Sequence, residues 1–402
     1  MSGRWPRVPL GDLAHRITKG TTPTSVGGRF TDSGIRFVKV ESISDGGALL
    51  PDKLAFIDHD SNRRLARSQL STDDVLFSIA GAIGRTYLVR VSDLPANTNQ
   101  ALAIVRFNRS KIFPAFAYYA MRDWKFQGQA KGRALQVAQA NVNLSQLSRA
   151  RIPVPPLEVQ KRIASVLAVY DDLIENNRRR IQLLGQVTGL LYKKWFVQLR
   201  FPGHEHVTIS DGVPEGWEKR SLGDLMTLQR GFDLPVRSRE KGPVPVYSST
   251  GVNGFHDTAK VSGPGVVTGR SGSLGEVMYV AGDFWPLNTT LWVKEFKRVS
   301  PLFARHLLSG MKLAQYNGGT AVPTLNRNDV HRVEVLCPPG DTVALFDNRV
   351  WPLYRQVAAL EKSAEALAKA RDLLLPRLVN GDVTVGAGEI SLIAAQRLVK
   401  VG

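Results

Sequence analysis

The chain has 402 residues and a formal charge of +18, from 53 Lys and Arg against 35 Asp and Glu. A hydrophobic content of 43% excludes a disordered chain, and the single cysteine, Cys337, excludes an intramolecular disulfide framework and a cysteine-cluster zinc site. No apolar run approaches the roughly 18 residues of a membrane span. The first residues, MSGRWPRVPLGDL, carry no apolar signal segment, so a cytoplasmic protein is the expectation. The length allows two or three domains, and the positive excess points to a polyanionic partner, nucleic acid foremost.

Taken in chain order, the sequence repeats itself. Trp5 begins a motif that continues to Leu10-Gly11-Asp12-Leu13. Short apolar runs at 35–40, 75–79, 87–91 and 102–107 are divided by Gly, Pro, Asn and Asp and read as strands, with a helix near 114–122. The unit closes on a strand-like Ile152-Pro-Val-Pro155-Pro156, and a long helical segment follows. Trp217 then reopens the motif and leads to Leu222-Gly223-Asp224-Leu225. Gly20 near Pro23 is matched by Gly231 near Pro235, and Gly81-Ala-Ile83-Gly84 by Gly272-Ser-Leu274-Gly275. Asn99-Gln-Ala-Leu102 pairs with Asn288-Thr-Thr-Leu291, and Val335-Leu-Cys-Pro338-Pro339 closes the second unit. Strands are expected at 266–268, 277–280 and 290–293, with a helix at 301–311. The fold class is α+β: two tandem α+β units, each followed by a long helix.

The segments after each Pro-Pro carry apolar positions spaced three and four apart, the seam of a coiled coil. The first seam is Ile163, Leu167, Tyr170, Ile174, Asn177, Ile181, Leu184, Val187 and Leu191, with Asn177 as a polar register device. The second is Val343, Phe346, Val350, Leu353, Val357, Leu360, Ala364, Leu367, Leu374 and Leu378, interrupted only by Arg371. Pro352 either starts that helix or kinks it. Each helix could pack on its own unit alone. Matching seam lengths, and a chain that must return, favour an antiparallel coiled coil between the two. The divisions expected are 1–156, helix 157–200, linker 201–214, 215–339, helix 340–380 and a tail 381–402, whose apolar 390–398 stretch could pack back on the N-terminal region.

Most of the charge lies in the first unit: residues 1–156 hold 22 basic and 11 acidic side chains, whereas 201–340 hold 15 and 13. Phosphate neutralisation gives affinity and base-edge contacts give sequence preference. Polar loops with Arg, Lys, Thr and Gly suit both tasks. The candidates are Lys19, Thr21, Thr22, Arg29, Arg85, Lys131 and Arg133 in the first unit, and Arg230, Arg237, Arg239, Lys241, Arg270 and Ser271 in the second. Arg178-Arg179-Arg180 reads as a solvated helix face.

The paired pattern of Trp-x5-Gly-Asp-Leu, Gly-x-Ile/Leu-Gly, Asn-x-x-Leu and Ile-Pro-x-Pro-Pro-Leu157-Glu158-x-Gln160-x-x-Ile163 resembles the specificity subunit of type I restriction–modification enzymes, over about 1–380. The second copy departs from it, because Pro338-Pro339-Gly340-Asp341 lacks the Glu-x-Gln. The resemblance implies two target-recognition domains, each reading half of a split sequence in double-stranded DNA. It implies helices that set the unread gap and dock two modification (methyltransferase) subunits, with restriction subunits joining the complete assembly. It implies no cofactor in this chain: S-adenosylmethionine, ATP and Mg²⁺ belong to the partners. Two half-sites on one DNA face lie a helical turn of about 34 Å, or a multiple, apart. A 40-residue helix is roughly 60 Å long, of the same order.

Catalytic signatures are absent. There is no Gly-Lys pair for a phosphate loop, and Gly263-Pro-Gly265-Val-Val-Thr268 lacks the third glycine of a dinucleotide fingerprint. Ser271 and Ser273 are not in Gly-x-Ser-x-Gly, and Cys337-Pro-Pro-Gly340 fails the methyltransferase pattern at both ends. His204-Glu-His206 reads as solvated linker. The competing reading is a self-sufficient Mg²⁺-dependent nuclease using Asp283, Glu295 and Lys297. A non-catalytic recognition subunit is favoured, since the first repeat has Val105-Arg-Phe-Asn-Arg109 at the place of Glu295 and Lys297.

Overall fold

The computed structural model describes residues 5–132, 141–318 and 323–385. They divide into two compact units, 1–178 with 361–402 and 179–360, so the division passes through both long helices.

In the first unit, β1 (Arg7–Pro9) runs into the single turn α1 (Leu10–Leu13) and then β2 (Ala14–Lys19). Next come β3 (Phe30–Thr31), β4 (Ile35–Val38), β5 (Ala55–Ile57), α2 (His59–Arg64), β6 (Val75–Ser78), β7 (Thr86–Leu88), β8 (Ala96–Thr98) and β9 (Leu102–Phe107). Three helices, α3 (Pro114–Arg122), α4 (Trp124–Lys131) and α5 (Leu144–Arg149), precede β10 (Arg151–Pro153) and the long α6 (Leu157–Tyr192). Two four-stranded sheets form, ordered β2-β9-β6-β7 and β3-β5-β4-β8, while β10 returns to pair with β1. The β6 and β9 runs are apolar on both faces because helices cover one side and the second sheet's cluster the other.

The second unit contains the small hairpin β11 (Ile209–Ser210) and β12 (Val213–Pro214), then β13 (Glu218–Ser221), α7 (Leu222–Leu225) and β14 (Met226–Arg230). It continues with β15 (Val244–Ser248), β16 (Gly251–His256), β17 (Gly265–Gly269), β18 (Val277–Val280), β19 (Trp285–Pro286) and β20 (Thr290–Phe296). Helices α8 (Pro301–Gly310) and α9 (Arg327–His331), strand β21 (Glu334–Cys337) and the long α10 (Gly340–Val379) complete it. The sheet order β14-β20-β17-β18 reproduces β2-β9-β6-β7, and β13–β21 reproduces β1–β10. The second small sheet is shorter, β16-β15-β19. The segment expected as a linker is built into this unit, because Phe201 is buried with its ring 5.1 Å from Trp217.

The equivalence fixes one pairing differently from the sequence pattern. Lys19 lies opposite Ala103, and Arg230 opposite Leu291. Ser78 lies opposite Leu102, and Gly269 opposite Thr290. Leu102 therefore corresponds to Thr290, and Gln100, not Asn99, corresponds to Asn288. The glycine turn needs no shift: Gly81 and Gly84 have φ of +69° and +97°, Gly272 and Gly275 +85° and +93°. These left-handed backbones explain why glycine recurs there.

In both units the long helices run antiparallel. In the first, Asn177 Nδ2 donates to Ser363 Oγ at 3.2 Å and Arg371 Nη1 to Asp171 Oδ1 at 2.6 Å. In the second, Tyr192 packs on Phe346 with ring centroids 6.1 Å apart. Along α6, Ile163, Leu167, Ile174 and Asn177 are buried and Tyr170, Ile181 and Leu184 half-buried; along α10, Val350 and Leu360 are buried and Leu353, Val357 and Leu367 half-buried. The seam departs from the expected row at one place, because Val187 is 50% exposed and Thr188 is 3% exposed. Helix α10 begins at Gly340 and runs through Pro352, so the proline does not start it. The helices do not pair in isolation from the heads: Ile163, Leu167, Leu375 and Leu378 belong to the first unit's core, and Tyr192, Phe346 and Val350 to the second's. Val383 and Val385 of the tail pack on the first core, while the 390–398 stretch lies outside the described residues.

Candidate nucleic-acid interface

The four-stranded sheet of each unit ends in a rim formed by three turns. In the first unit these are 20–22 after β2, 79–85 between β6 and β7, and 99–101 before β9. The chain at Gly20 passes so close to the last turn that a Cβ there would lie 2.0 Å from Thr98 O, and one at Gly231 would lie 2.2 Å from Leu287 O. Only glycine permits that approach, which holds Thr21 and Thr22 against the start of β9. Thr21 N donates to Thr98 O at 3.2 Å, as Phe232 N donates to Pro286 O at 2.8 Å.

Lys19, Thr21, Thr22 and Arg85 therefore come together at one end of the sheet, although they are far apart in sequence. Arg85 pairs with Asp45 at 2.8 Å and also donates to Val40 O. With Lys131, Arg122, Arg178 and Arg371 it lines a groove of about 670 Å³, against Asp45 and Asp372. Arg178, Arg179 and Arg180 are all exposed. Arg29 is not part of the rim; it pairs with Asp58 at 3.0 Å beside β3, and the Ser61 amide and hydroxyl, then that guanidinium, lower the Asp58 carboxyl to about 2. Arg133 lies outside the described residues.

In the second unit Arg230, Arg270 and Ser271 occupy the corresponding rim. The amides of Arg270 and Ser271 both donate to Thr289 O, and Arg270 Nη1 donates to Asn288 O at 3.3 Å. Arg237, Arg239 and Lys241 are elsewhere, on the segment before β15, where Arg239 donates to Asn253 of β16.

Four rim residues, Arg67, Gln100, Asp233 and Asn288, were not among the contact candidates read from the sequence. Arg67, in the 3-10 turn Ala66–Ser68, donates to Thr21 Oγ1 at 3.3 Å. Thr22 Oγ1 donates to Gln100 Oε1 at 2.5 Å. In the second unit Asn288 Nδ2 donates to Asp233 Oδ1. Arg16, Lys19 and Arg67 form no ion pair among the described residues, and Arg16 and Arg67 line one small hollow on the sheet face. Cations left without carboxylates keep their full charge for an external anion.

The candidate nuclease residues serve separate structural contacts. Asp283 Oδ1 accepts from Gly263 N at 3.0 Å, Glu295 Oε2 accepts from Thr227 at 3.3 Å, and Lys297 Nζ donates to Gly223 O at 2.7 Å. No group of three or more His, Cys, Asp or Glu among the described residues is placed to hold a metal ion. No helix among them is long and apolar enough to cross a membrane.

Two α+β heads in tandem, each ending in a cationic rim and each seated on an antiparallel helix pair, define a duplicated recognition protein. Residues 3–186 and 214–342 match the type I restriction modification DNA specificity domain, and the chain belongs to that family. It is 26% identical over 327 residues to the type I restriction enzyme MjaIX specificity subunit of Methanocaldococcus jannaschii, covering 74% of this chain and 75% of that protein. It is 24% identical over 406 residues to the putative MjaX specificity subunit of the same organism, covering 95% and 94%. The crystal structure of the S subunit of the type I restriction–modification system from M. genitalium has the same fold, at TM-score 0.55 and 17% identity over 94% of this chain and 96% of that one.

Proposed function

We propose that the chain is the DNA-recognition subunit of a type I restriction–modification complex, in which residues 1–156 and 215–339 each read one half of a split duplex target. The observation that carries this reading is the duplicated rim: the same three turns, with glycines in the same places, present cationic and amide side chains in both heads. Phosphate contacts from residues such as Arg16 and Lys19 fix the register, and neighbouring polar side chains read bases. The paired helices 157–200 and 340–380 set the unread gap and dock two modification subunits, which restriction subunits join. Methyl transfer and cleavage, with S-adenosylmethionine, ATP and Mg²⁺, belong to those partners, and the assembly works in the cytoplasm.

The test is selection from a pool of randomised duplexes by the full chain with its modification subunits. Two short motifs at a fixed gap are expected. Inserting four residues within 165–185, about one helical turn, lengthens the gap and leaves both motifs unchanged. A single uninterrupted motif, or an altered half-site after the insertion, overturns the reading.

A further inference from the structure

The two rims hold hydrogen-bonded pairs at the same topological place but of opposite polarity. Counted from Gly20 and Gly231, Thr22 corresponds to Asp233; counted from the β9 and β20 registers, Gln100 corresponds to Asn288. In the first head the Thr22 hydroxyl donates to the Gln100 oxygen, and the Gln100 NH₂ makes no hydrogen bond among the described residues. Arg67, tied to Thr21 by one nitrogen, keeps its other donors, and both Arg67 and Gln100 are exposed. In the second head the Asn288 NH₂ is directed onto Asp233, which leaves the Asn288 oxygen and the second Asp233 oxygen as acceptors, with Asp233 exposed.

Base edges in the major groove differ in the same sense. Guanine offers only acceptors, O6 and N7, while cytosine and adenine offer an exocyclic amino group. A carboxylate facing guanine O6 or thymine O4 sets acceptor against acceptor, so it rejects those bases as well as selecting others. We propose that Arg67 with Gln100 reads a guanine in the first half-site, and that Asp233 with Asn288 reads an amino-bearing base, cytosine or adenine, in the second. This rests on the DNA-recognition reading above. The residues tied to them, Thr21 and Thr22, are positioning residues: they hold donors that do not then have to be ordered on binding.

The experiment is the same randomised-duplex selection at fixed salt, with the full chain carrying Arg67→Ala or Asp233→Ala. Arg67→Ala is expected to lower discrimination at one base pair of the first half-site about 10- to 100-fold and to leave the second half-site intact. Asp233→Ala does the converse, and the base pair it relaxes shows directly whether cytosine or adenine was read. The untouched half-site is an internal control for folding. Replacing the guanine read by Arg67 with 7-deazaguanine, which lacks the N7 acceptor, weakens the wild-type chain and has little effect on Arg67→Ala. An unchanged motif, or uniform weakening on all sequences with a shallower salt dependence, marks these side chains as phosphate contacts and overturns the inference while the recognition reading stands. If a variant loses both half-sites, Arg67→Lys and Asp233→Asn decide, and a second joint loss makes the set structural and also overturns it. A wild-type chain that selects no sequence overturns the recognition reading itself.

Discussion

The two heads share a strand order, yet they are fastened to the long helices by different chemistry. In the first unit the junction carries an ionic cluster beside its apolar contacts. Arg371, 4% exposed, donates to Asp171 at 2.6 Å and reaches Gly46 O, while Tyr119 donates to Asp171 at 2.8 Å and Arg122 lies 3.6 Å from the same carboxylate. In the second unit the junction is aromatic. Phe346 of α10 packs against Trp195 and Phe196 at ring distances of 5.9 and 5.1 Å, and Phe196 meets Phe303 of α8 at 4.8 Å. One architecture thus adds a directional ionic cluster to its apolar core in one copy and an aromatic cluster in the other, which predicts different responses to the same perturbations.

The largest effects come from removing one partner at each junction. Arg371→Ala leaves Asp171 with Arg122, 3.6 Å away, as its remaining cation and costs the first unit at most about 3–5 kcal/mol. Phe346→Ala costs the second unit about 3–5 kcal/mol through lost transfer energy and a cavity. A chain with two compact units is not assured a single transition, so the measurement is hydrogen exchange resolved by segment. Protection should fall in α3 for the first variant and in α8 for the second. Replacing both Arg371 and Asp171 by apolar residues of similar volume should recover most of the loss, whereas no such exchange exists for Phe346. Equal loss of protection in both units from either variant would erase the distinction.

Between pH 6 and 4, acid separates the units by a smaller amount. His306 lies in the aromatic junction, stacked on Tyr192 with centroids 5.6 Å apart, and burial and then the charge of Arg305 push its pKa down to about 3. Arg305 Nη1 donates to Nδ1 at 3.2 Å, so that nitrogen is unprotonated and Nε2–H faces the Tyr354 hydroxyl at 3.1 Å. The folded pKa is depressed below the unfolded value near 6.5, so the unfolded chain takes up the proton first as pH falls. The contribution is therefore fully present above about 6.5 and declines as pH falls towards 3, by at most about 1.4 kcal/mol per pH unit. His306→Phe keeps the ring and should flatten the pH profile of the second unit between 6 and 4. A slope that survives the substitution would place the titration elsewhere.

Much of this was legible in the residues. Pro at the first position and an apolar run mark α3 and α8, which begin at Pro114 and Pro301 as expected. The 102–107 run and the glycine turns locate the central strand and the rim. The seam failed at Thr188 because a hydroxyl can bury when its own helix satisfies it: Thr188 donates to Gly185 O at 2.9 Å, and apolar spacing cannot register that. The match of Asn99 with Asn288 failed because identity of residue outweighed register, which only the strand pairing reveals. Arg67 and Asp233 were missed for a related reason. Each acquires its place through a partner distant in sequence, and a 3-10 turn or an exposed loop leaves no periodic trace.

The smallest predicted difference concerns the equivalent turns that enter each central sheet. Helix α7 has Ser221 at its N-cap, with the hydroxyl accepting from Asp224 N at 3.3 Å and donating to the Asp224 carboxylate at 2.7 Å. Helix α1 has Pro9 there and no side-chain cap, although Asp12 stands where Asp224 does. Ser221→Ala should cost about 1 kcal/mol by orphaning that amide. The backbone at Pro9, φ −56° and ψ 141°, nearly equals that at Ser221, −66° and 148°, so a serine fits without strain. Pro9→Ser would gain the cap but free the unfolded chain at a position proline had restricted, an offset of about 0.4–1 kcal/mol. The two terms nearly cancel, and the net change at Pro9 should stay within about 0.5 kcal/mol by urea denaturation followed in the first unit. A loss at Pro9 as large as that at Ser221 would mean that the proline ring, which sits in β1 opposite Arg151, carries packing that the second head supplies with a hydroxyl.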